Sequence, residues 1–360
     1  MKLKASKTMW MVSVLAVMAL FLSACGVQLP EQKAAEGQQS TAAAGGDLRG
    51  KRIALIMEFN TGTFSQQYVQ GVEEEVKKFG GTLTKFVADN DKAKMASLVD
   101  SAVNQHFDAI LTDHGDSLLE PGLKKAVEKG IPVVVFDAAV NVPGATVLSQ
   151  DDQKMAELTL EQMKKDLNGK GKIVKIWVAG FAPMERRQQS YAKFMEENPG
   201  IEEISSFGSA QNPALDTQAK MEAVLKQYPK GEITAVWAAW DEFAKGAARA
   251  IQQAGRDEIK VYGIDMSDED LQMIQDPASP WVASAAVDPT DIGRVQVRYV
   301  YQKLHGDEPE ANVVLEPVYV HRDSLPDQQI STAELSQYVK GWGQSEQGKK
   351  DWMAEYETSK

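Results

Sequence analysis

From Arg52 onward, short apolar runs alternate with stretches whose apolar residues recur every three or four positions. "RIALIM" (Arg52–Met57) has the continuous apolar character of a strand buried on both faces. Residues 64–79 carry Val69, Val72, Val76 and Phe79 at helical spacing. "TLTKFVAD", "FDAILTD" and "IPVVVFDA" read as further strands, with helices over residues 93–105 and 118–129 between them. Gly130 and Pro132 stop the second of these helices. The rhythm restarts at "KIVKIWVAG", and "IEEISSFGS", "ITAVWAAW" and "KVYGIDM" alternate with helices near residues 184–197, 217–227 and 242–254. "WVASAAVD", a helix after "DPTDIG" and the run "NVVLEPVYV" complete the pattern. Such alternation predicts two α/β lobes, each a parallel sheet covered by helices on both faces. The elements beyond the second lobe predict that the chain crosses between lobes more than once.

Upstream of this body the pattern changes. Lys2, Lys4 and Lys7 precede an apolar run over residues 9–22 that is too short to span a bilayer comfortably. "LSAC" follows, Leu22-Ser23-Ala24-Cys25, and it resembles the lipobox of bacterial lipoproteins. That resemblance implies cleavage before Cys25 and acylation of its sulfur. An ordinary secretory cleavage site is the alternative, but Cys25 is the chain's only cysteine and stands at the required place. Residues 1–24 are therefore expected to be a lipoprotein signal peptide. Residues 25–50, rich in Gln, Ala and Gly, are expected to be a lipidated cysteine and flexible tether on the outer face of the cell membrane.

Removing the signal lysines takes the formal charge from -12 to -15. So acidic a chain has no basic footprint for nucleic acid. With its one cysteine acylated, an internal disulfide is excluded and stability must come from core packing.

In open α/β sheets, ligands gather outside the carboxyl ends of the strands. The first strand brings Glu58, Phe59, Asn60 and Phe64 there, and the fourth brings Asp137. The first strand of the second lobe leads to Phe181, Met184, Arg186 and Arg187. Later ends bring Trp240 with Asp241, then Asp265, then Asp288. Aromatic rings stack on the apolar face of a sugar, and carboxylates accept hydrogen bonds from its adjacent hydroxyls, so this set suits a polyhydroxylated ring. Plainer roles compete. Asp241 opens a helix and can act as its N-cap. Trp237, three residues before Trp240, points to the opposite sheet face and into the core. One of Arg186 and Arg187 is expected to face solvent. Asp137 and Asp265 end the apolar runs "PVVVFD" and "VYGID", where a buried acid needs a partner or a ligand.

An enzyme finds little support. GxSxG, HExxH, P-loop and dinucleotide-binding glycine motifs are missing, and His106, His114, His305 and His321 are scattered. "DHGD" (residues 113–116) reads as a strand-to-helix loop with a capping acid, with a metal loop as the alternative. No metal and no cofactor are expected.

In this order, "RIALIMEFNTGTF", "GIPVVVFDAAV", "ERRQQSYAKF", "AVWAAWDEFAKGAARAIQQAG", "VYGIDMSDE" and "VDPTDIGRVQV" resemble bacterial ABC-transporter solute-binding proteins of the ribose/galactose-binding type. The resemblance spans about residues 51–323. It implies the periplasmic-binding-protein type 1 fold: α/β, two Rossmann-like lobes with parallel sheets joined by a three-stranded hinge. The lobes would be residues 51–150 plus 289–316 and residues 151–288 plus 317–326, with crossings near 150–152, 288–289 and 316–317. Carried over by position, ligand contacts fall on Glu58, Phe64, Asp137, Arg187 (ahead of Tyr191) and Asp265. Trp240 stands where relatives often have a polar residue, Ala138 where they often have arginine, and Val287 where they have a glutamine, beside Asp288. The implied function is a monomeric receptor that delivers a sugar or polyol-like solute to a membrane ABC permease. A sensor presenting to a membrane kinase, or a binder of a nucleoside or amino sugar, is the alternative. Residues 327–360 lie beyond the resemblance. There "TAELSQYV" and "DWMAEYE" are expected as short helices bearing Trp342 and Trp352, packed on a lobe or against a partner.

Overall fold

The structure, a computed structural model, describes residues 46–357; the expected signal peptide, Cys25 and most of the tether lie outside them. In the first lobe β1 (Arg52–Met57), α1 (Gly62–Lys78), β2 (Thr82–Val87), α2 (Lys92–Asn104), β3 (Ala109–Asp113), α3 (Glu120–Glu128), β4 (Val133–Phe136) and β5 (Thr146–Gln150) follow one another. The chain enters the second lobe through α4 (Asp152–Asp166), then β6 (Gly171–Ile176), α5 (Ala182–Glu197), β7 (Ile201–Phe207) and α6 (Pro213–Gln227). That lobe continues with β8 (Ala235–Ala238), α7 (Asp241–Gln253), β9 (Lys260–Ile264), α8 (Asp268–Gln275) and β10 (Trp281–Ala286). α9 (Pro289–His305) and β11 (Asn312–Leu315) return to the first lobe, β12 (Val318–His321) belongs to the second, and α10 (Ala354–Glu357) ends the described chain.

The first sheet has the order β11-β5-β4-β3-β1-β2 and is parallel throughout. The second has the order β12-β10-β9-β8-β6-β7, with only β12 antiparallel. This is the two-lobed α/β architecture that the alternation predicts. β1 shows why its sequence is apolar without a break. Ile53, Leu55 and Met57 enter the core under α1 and α9, while Ala54 and Ile56 enter the one under α2 and α3. Successive side chains of a strand point to opposite faces, so a sheet covered on both sides leaves no polar position.

Two glycines set the helix that carries much of the cavity. A Cβ on Gly71 of α1 would collide with the Thr290 carbonyl oxygen, and one on Gly293 of α9 with that of Tyr68. The helices therefore touch backbone to backbone. The Tyr68 hydroxyl donates to Gln296 Oε1 at 2.5 Å and pins α1 further.

Five segments depart from the expected pattern. β5 ("TVLSQ"), α4 and α8 were not marked by the apolar periodicity; β5 has only five residues, two of them half-buried. "TAELSQYV" forms only a 3₁₀ turn over Leu335–Gln337, and "DWMAEYE" a 3₁₀ turn followed by α10. The extension also serves both lobes. Leu335, Val339 and Trp342 join the second-lobe core, whereas Met353 and Tyr356 join the first. Between them Ser345 N–H donates to Asp291, and Arg298 donates to the Ser345 carbonyl oxygen. The extension is thus a fourth passage between the lobes, beside those at β5–α4, β10–α9 and β11–β12.

Candidate functional site

The carboxyl ends of the two sheets face each other across a cavity lined from both lobes. The first lobe supplies Phe59, Phe64, Tyr68, Asn90, Asp113, His114, Phe136, Asp137 and Gln150; the second supplies Val178, Phe181, Met184, Arg187, Trp240 and Asp265. Four of these sit at strand ends in the left-handed backbone region: Asn90 (φ 63°), His114 (φ 63°), Asp137 (φ 48°) and Asp265 (φ 73°). Asn, Asp and His tolerate that conformation best, yet it costs on the order of 1 kcal/mol each, and such strain gathers at binding sites.

An ionic cluster forms one part of the cavity. Arg187, 2 % exposed, donates through Nε to Asp152 Oδ1 at 2.7 Å and through Nη1 to the Ala239 carbonyl oxygen at 2.6 Å. Nη1 and Nη2 also grip both oxygens of Asp265, at 3.0 and 3.1 Å. The carboxylates hold the Arg187 pKa above its ordinary value, although burial acts to lower it. Arg186 is partly exposed and ties the lobes together, reaching Asp152 Oδ2 at 2.8 Å through Nε and Asp137 Oδ1 at 2.7 Å through Nη2. Two guanidinium groups thus face three buried carboxylates, and two of the three resist ionisation. Burial, then the like charge of Asp152, pushes Asp137 up to about 7 against the pull of Arg186 and His114. Burial also raises Asp265, with Arg187 opposing it.

The aromatic cluster gathers around Phe59, whose ring centroid lies 4.7 Å from His114, 5.9 Å from Trp240 and 6.1 Å from Phe181. Two of these rings come from each lobe, so the contact exists only when the lobes are together. His114 Nδ1 lies 2.7 Å from Asp113 Oδ1. Burial disfavours the imidazolium, but Asp113, with Asp137 and Glu58 behind it, raises His114 to about 9. Lys92 adds a crossing contact, donating to Asp116 at 2.8 Å and to the Gly180 carbonyl oxygen of the other lobe at 3.4 Å.

Of the residues singled out in the sequence, Phe64, Asp137, Arg187, Trp240 and Asp265 line this cavity. Four others do not. Glu58 is buried, and its carboxylate accepts from Gly115 N–H at 3.0 Å, tying down the β3 loop instead. Asn60 projects to solvent from the loop after β1. Asp241 is the first residue of α7, and the helical turn aims it at Lys245, whose Nζ is 3.5 Å away. It is not the N-cap either, since Trp240 holds that position. Asp288 caps α9 by accepting from Thr290 N–H at 2.9 Å, beside Gly343 of the extension. Burial raises its carboxyl to about 6. Trp237 lies wholly in the second-lobe core, stacked on Tyr191 at 4.9 Å and donating to Thr159 at 3.0 Å. In "DHGD", Asp116 caps a short 3₁₀ turn through Leu118 N–H. Among the described residues no group of three His, Cys, Asp or Glu side chains could hold a metal ion.

Phe59, Phe181 and Met184 stand at strand ends in the sequence, but no motif gives them a role there. Tyr68 and Phe136 were hidden because they occupy apolar positions of a helix and a strand that also read as core. Gln150 was hidden because β5 itself went unmarked.

Residues 53–308 match the family model described as "Periplasmic binding protein domain". The chain is 27% identical over 306 residues to the ribose import binding protein of Bacillus subtilis, covering 84% of this chain and 95% of that one. A solved sugar ABC transporter structure from Yersinia enterocolitica superposes with a TM-score of 0.83 at 38% identity, covering 86% of this chain and 94% of that one. A solute-binding protein from Thermotoga lettingae, solved with 5-methylthioribose, gives a TM-score of 0.81 at 35% identity, covering 85% and 98%. The fold, the facing strand ends and the length of the match agree: the chain belongs to the periplasmic binding protein domain family.

Proposed function

We infer that this protein is the extracytoplasmic solute receptor of an ABC importer, and that its solute is a sugar or polyol-like molecule bearing an apolar substituent. The observation that carries the reading is the division of the cavity into an ionic cluster and a bilobal aromatic cluster. Hydroxyls of a ring suit the first, and an uncharged appendage suits the second. Relatives support the class: their names specify ribose, apiose and xylitol, and the Thermotoga protein holds a ribose whose appendage is a methylthio group. The family is one of substrate-binding transport proteins, which favours capture and delivery over catalysis. Closure would work by lobe rotation about the interlobe passages, with ligand shifting the population toward the closed form.

Calorimetric titration with D-ribose, its 5-deoxy-5-methylthio derivative and allitol tests this. The methylthio sugar is expected to bind about 10-fold or more tighter than ribose, the scale of a buried methylthio group. Equal affinities would remove the apolar substituent from the reading, and failure of all three to bind would remove the sugar.

The reading also makes Cys25 an acylated anchor that tethers the body to the membrane. Cys25→Ser is expected to release the protein in fractionation. A variant still wholly in the membrane pellet would argue against the anchor.

A further inference from the structure

Gln150 ends β5, one residue before Asp151 caps α4 in the other lobe. It is 3 % exposed and lines the cavity. Its amide orientation follows from its neighbours. Nε2 lies 3.4 Å from Asp137 Oδ2, and the side chain lies near enough to Asp265 to favour the ionised form of its carboxyl. An ionised carboxylate can only accept, so the amide turns Nε2 toward Asp137. That leaves Oε1, which is buried and has no hydrogen-bond partner. Among the described residues, no other cavity-lining side chain carries a buried polar atom without a partner. Arg187, by contrast, has four of its five N–H groups on Asp152, Asp265 and the Ala239 carbonyl oxygen.

A buried orphan acceptor is costly, and native proteins rarely leave one without a use. We propose that Gln150 is a ligand-binding residue whose Oε1 accepts a hydrogen bond from one hydroxyl of the bound solute. The inference rests on the sugar or polyol reading and adds the residue that selects for a donor at one ring position. The amide lies beside a carboxylate of each lobe, Asp137 and Asp265, so this setting exists only when the lobes are closed. An unsubstituted or methylated oxygen at that ring position has no proton to offer and leaves Oε1 unpaired. Gln150 therefore discriminates by what the solute donates, while the arginine–carboxylate cluster holds it in place.

The test uses whichever of D-ribose, its 5-deoxy-5-methylthio derivative and allitol binds the wild type tightest, with analogues lacking each hydroxyl in turn. Gln150→Leu is expected to weaken binding of the parent compound about 10- to 100-fold. One deoxy analogue should lose a similar factor on the wild type and lose nothing more on the variant. A purely structural role would weaken all analogues alike and lower the ligand-free melting temperature in proportion, and that result overturns the proposal. So does parent binding within about twofold of wild type. Should Gln150→Leu fail to fold, Gln150→Asn retracts the acceptor by one methylene while keeping the amide, and the same selective loss is expected. If none of the three compounds binds the wild type, the sugar reading and this inference fall together. If one binds and Gln150→Leu retains it, only this inference falls.

Discussion

The ionic and aromatic clusters of the cavity both draw on the two lobes, yet they are held in different ways. Around Arg187 nearly every donor and acceptor is paired: Asp152 accepts from both arginines, and Asp265 takes two bonds from one. Around Phe59 the contacts are ring against ring, with the 3.4 Å bond from Lys92 to the Gly180 carbonyl oxygen crossing the lobes beside them. The first arrangement is over-determined, and removing a member leaves a buried charge without its counter-charge. The second can rearrange around a guest, because stacking tolerates many geometries. The comparison teaches that lining a cavity and recognising a solute are separable tasks.

Substitutions should therefore fail differently in the two clusters. Arg187→Leu leaves Asp152 and Asp265 without their buried partner and should cost about 3–5 kcal/mol of stability, read in denaturant melts. Trp240→Ala should leave the melt nearly unchanged but weaken binding of the tightest sugar by about 1–3 kcal/mol in calorimetry. If Arg187→Leu melts like the wild type, or Trp240→Ala unfolds as readily as an arginine variant, the two clusters are not built as described.

A pH-dependent effect sits where the clusters meet, at His114. Its folded pKa of about 9 lies above the ordinary 6.5. A raised histidine contributes stability that is complete below the unfolded value and lost as pH rises through the folded one. Between about pH 6.5 and 9 the wild type should lose on the order of 1–3 kcal/mol, and His114→Gln should flatten that slope. Below that window Asp137, raised to about 7, adds a slope of the same sign, because its native state prefers the protonated acid. Melts across pH that run parallel for both proteins would contradict an imidazolium held by Asp113.

Particular residues mark how far the sequence could be read. The apolar runs ending at Asp137 and Asp265 had to be buried strands, and an acid at such an end had to find a partner; both now bond arginines in the cavity. Trp237 and Trp240 were separable because three positions along a strand reverse the face. Glu58 and Asp241 lie off the cavity lining for the opposite reason. Each stands at a strand end, but whether a loop or helix turns it to the cavity, to Gly115 N–H or to Lys245 depends on backbone angles that no local pattern encodes.

Sequence periodicity by itself determined that there are two α/β lobes, which strands are buried on both faces, and at which sheet ends the chemistry gathers. These follow from hydrophobic burial, which depends on spacing along the chain. Only the tertiary structure decided that Arg186 of α5 would meet Asp137 across the lobes. It alone made the C-terminal extension a passage between two cores, and left Gln150 Oε1 unpaired. Pairing of polar groups is directional and operates over about 3 Å, so it is settled by which distant segments the packed sheets bring together.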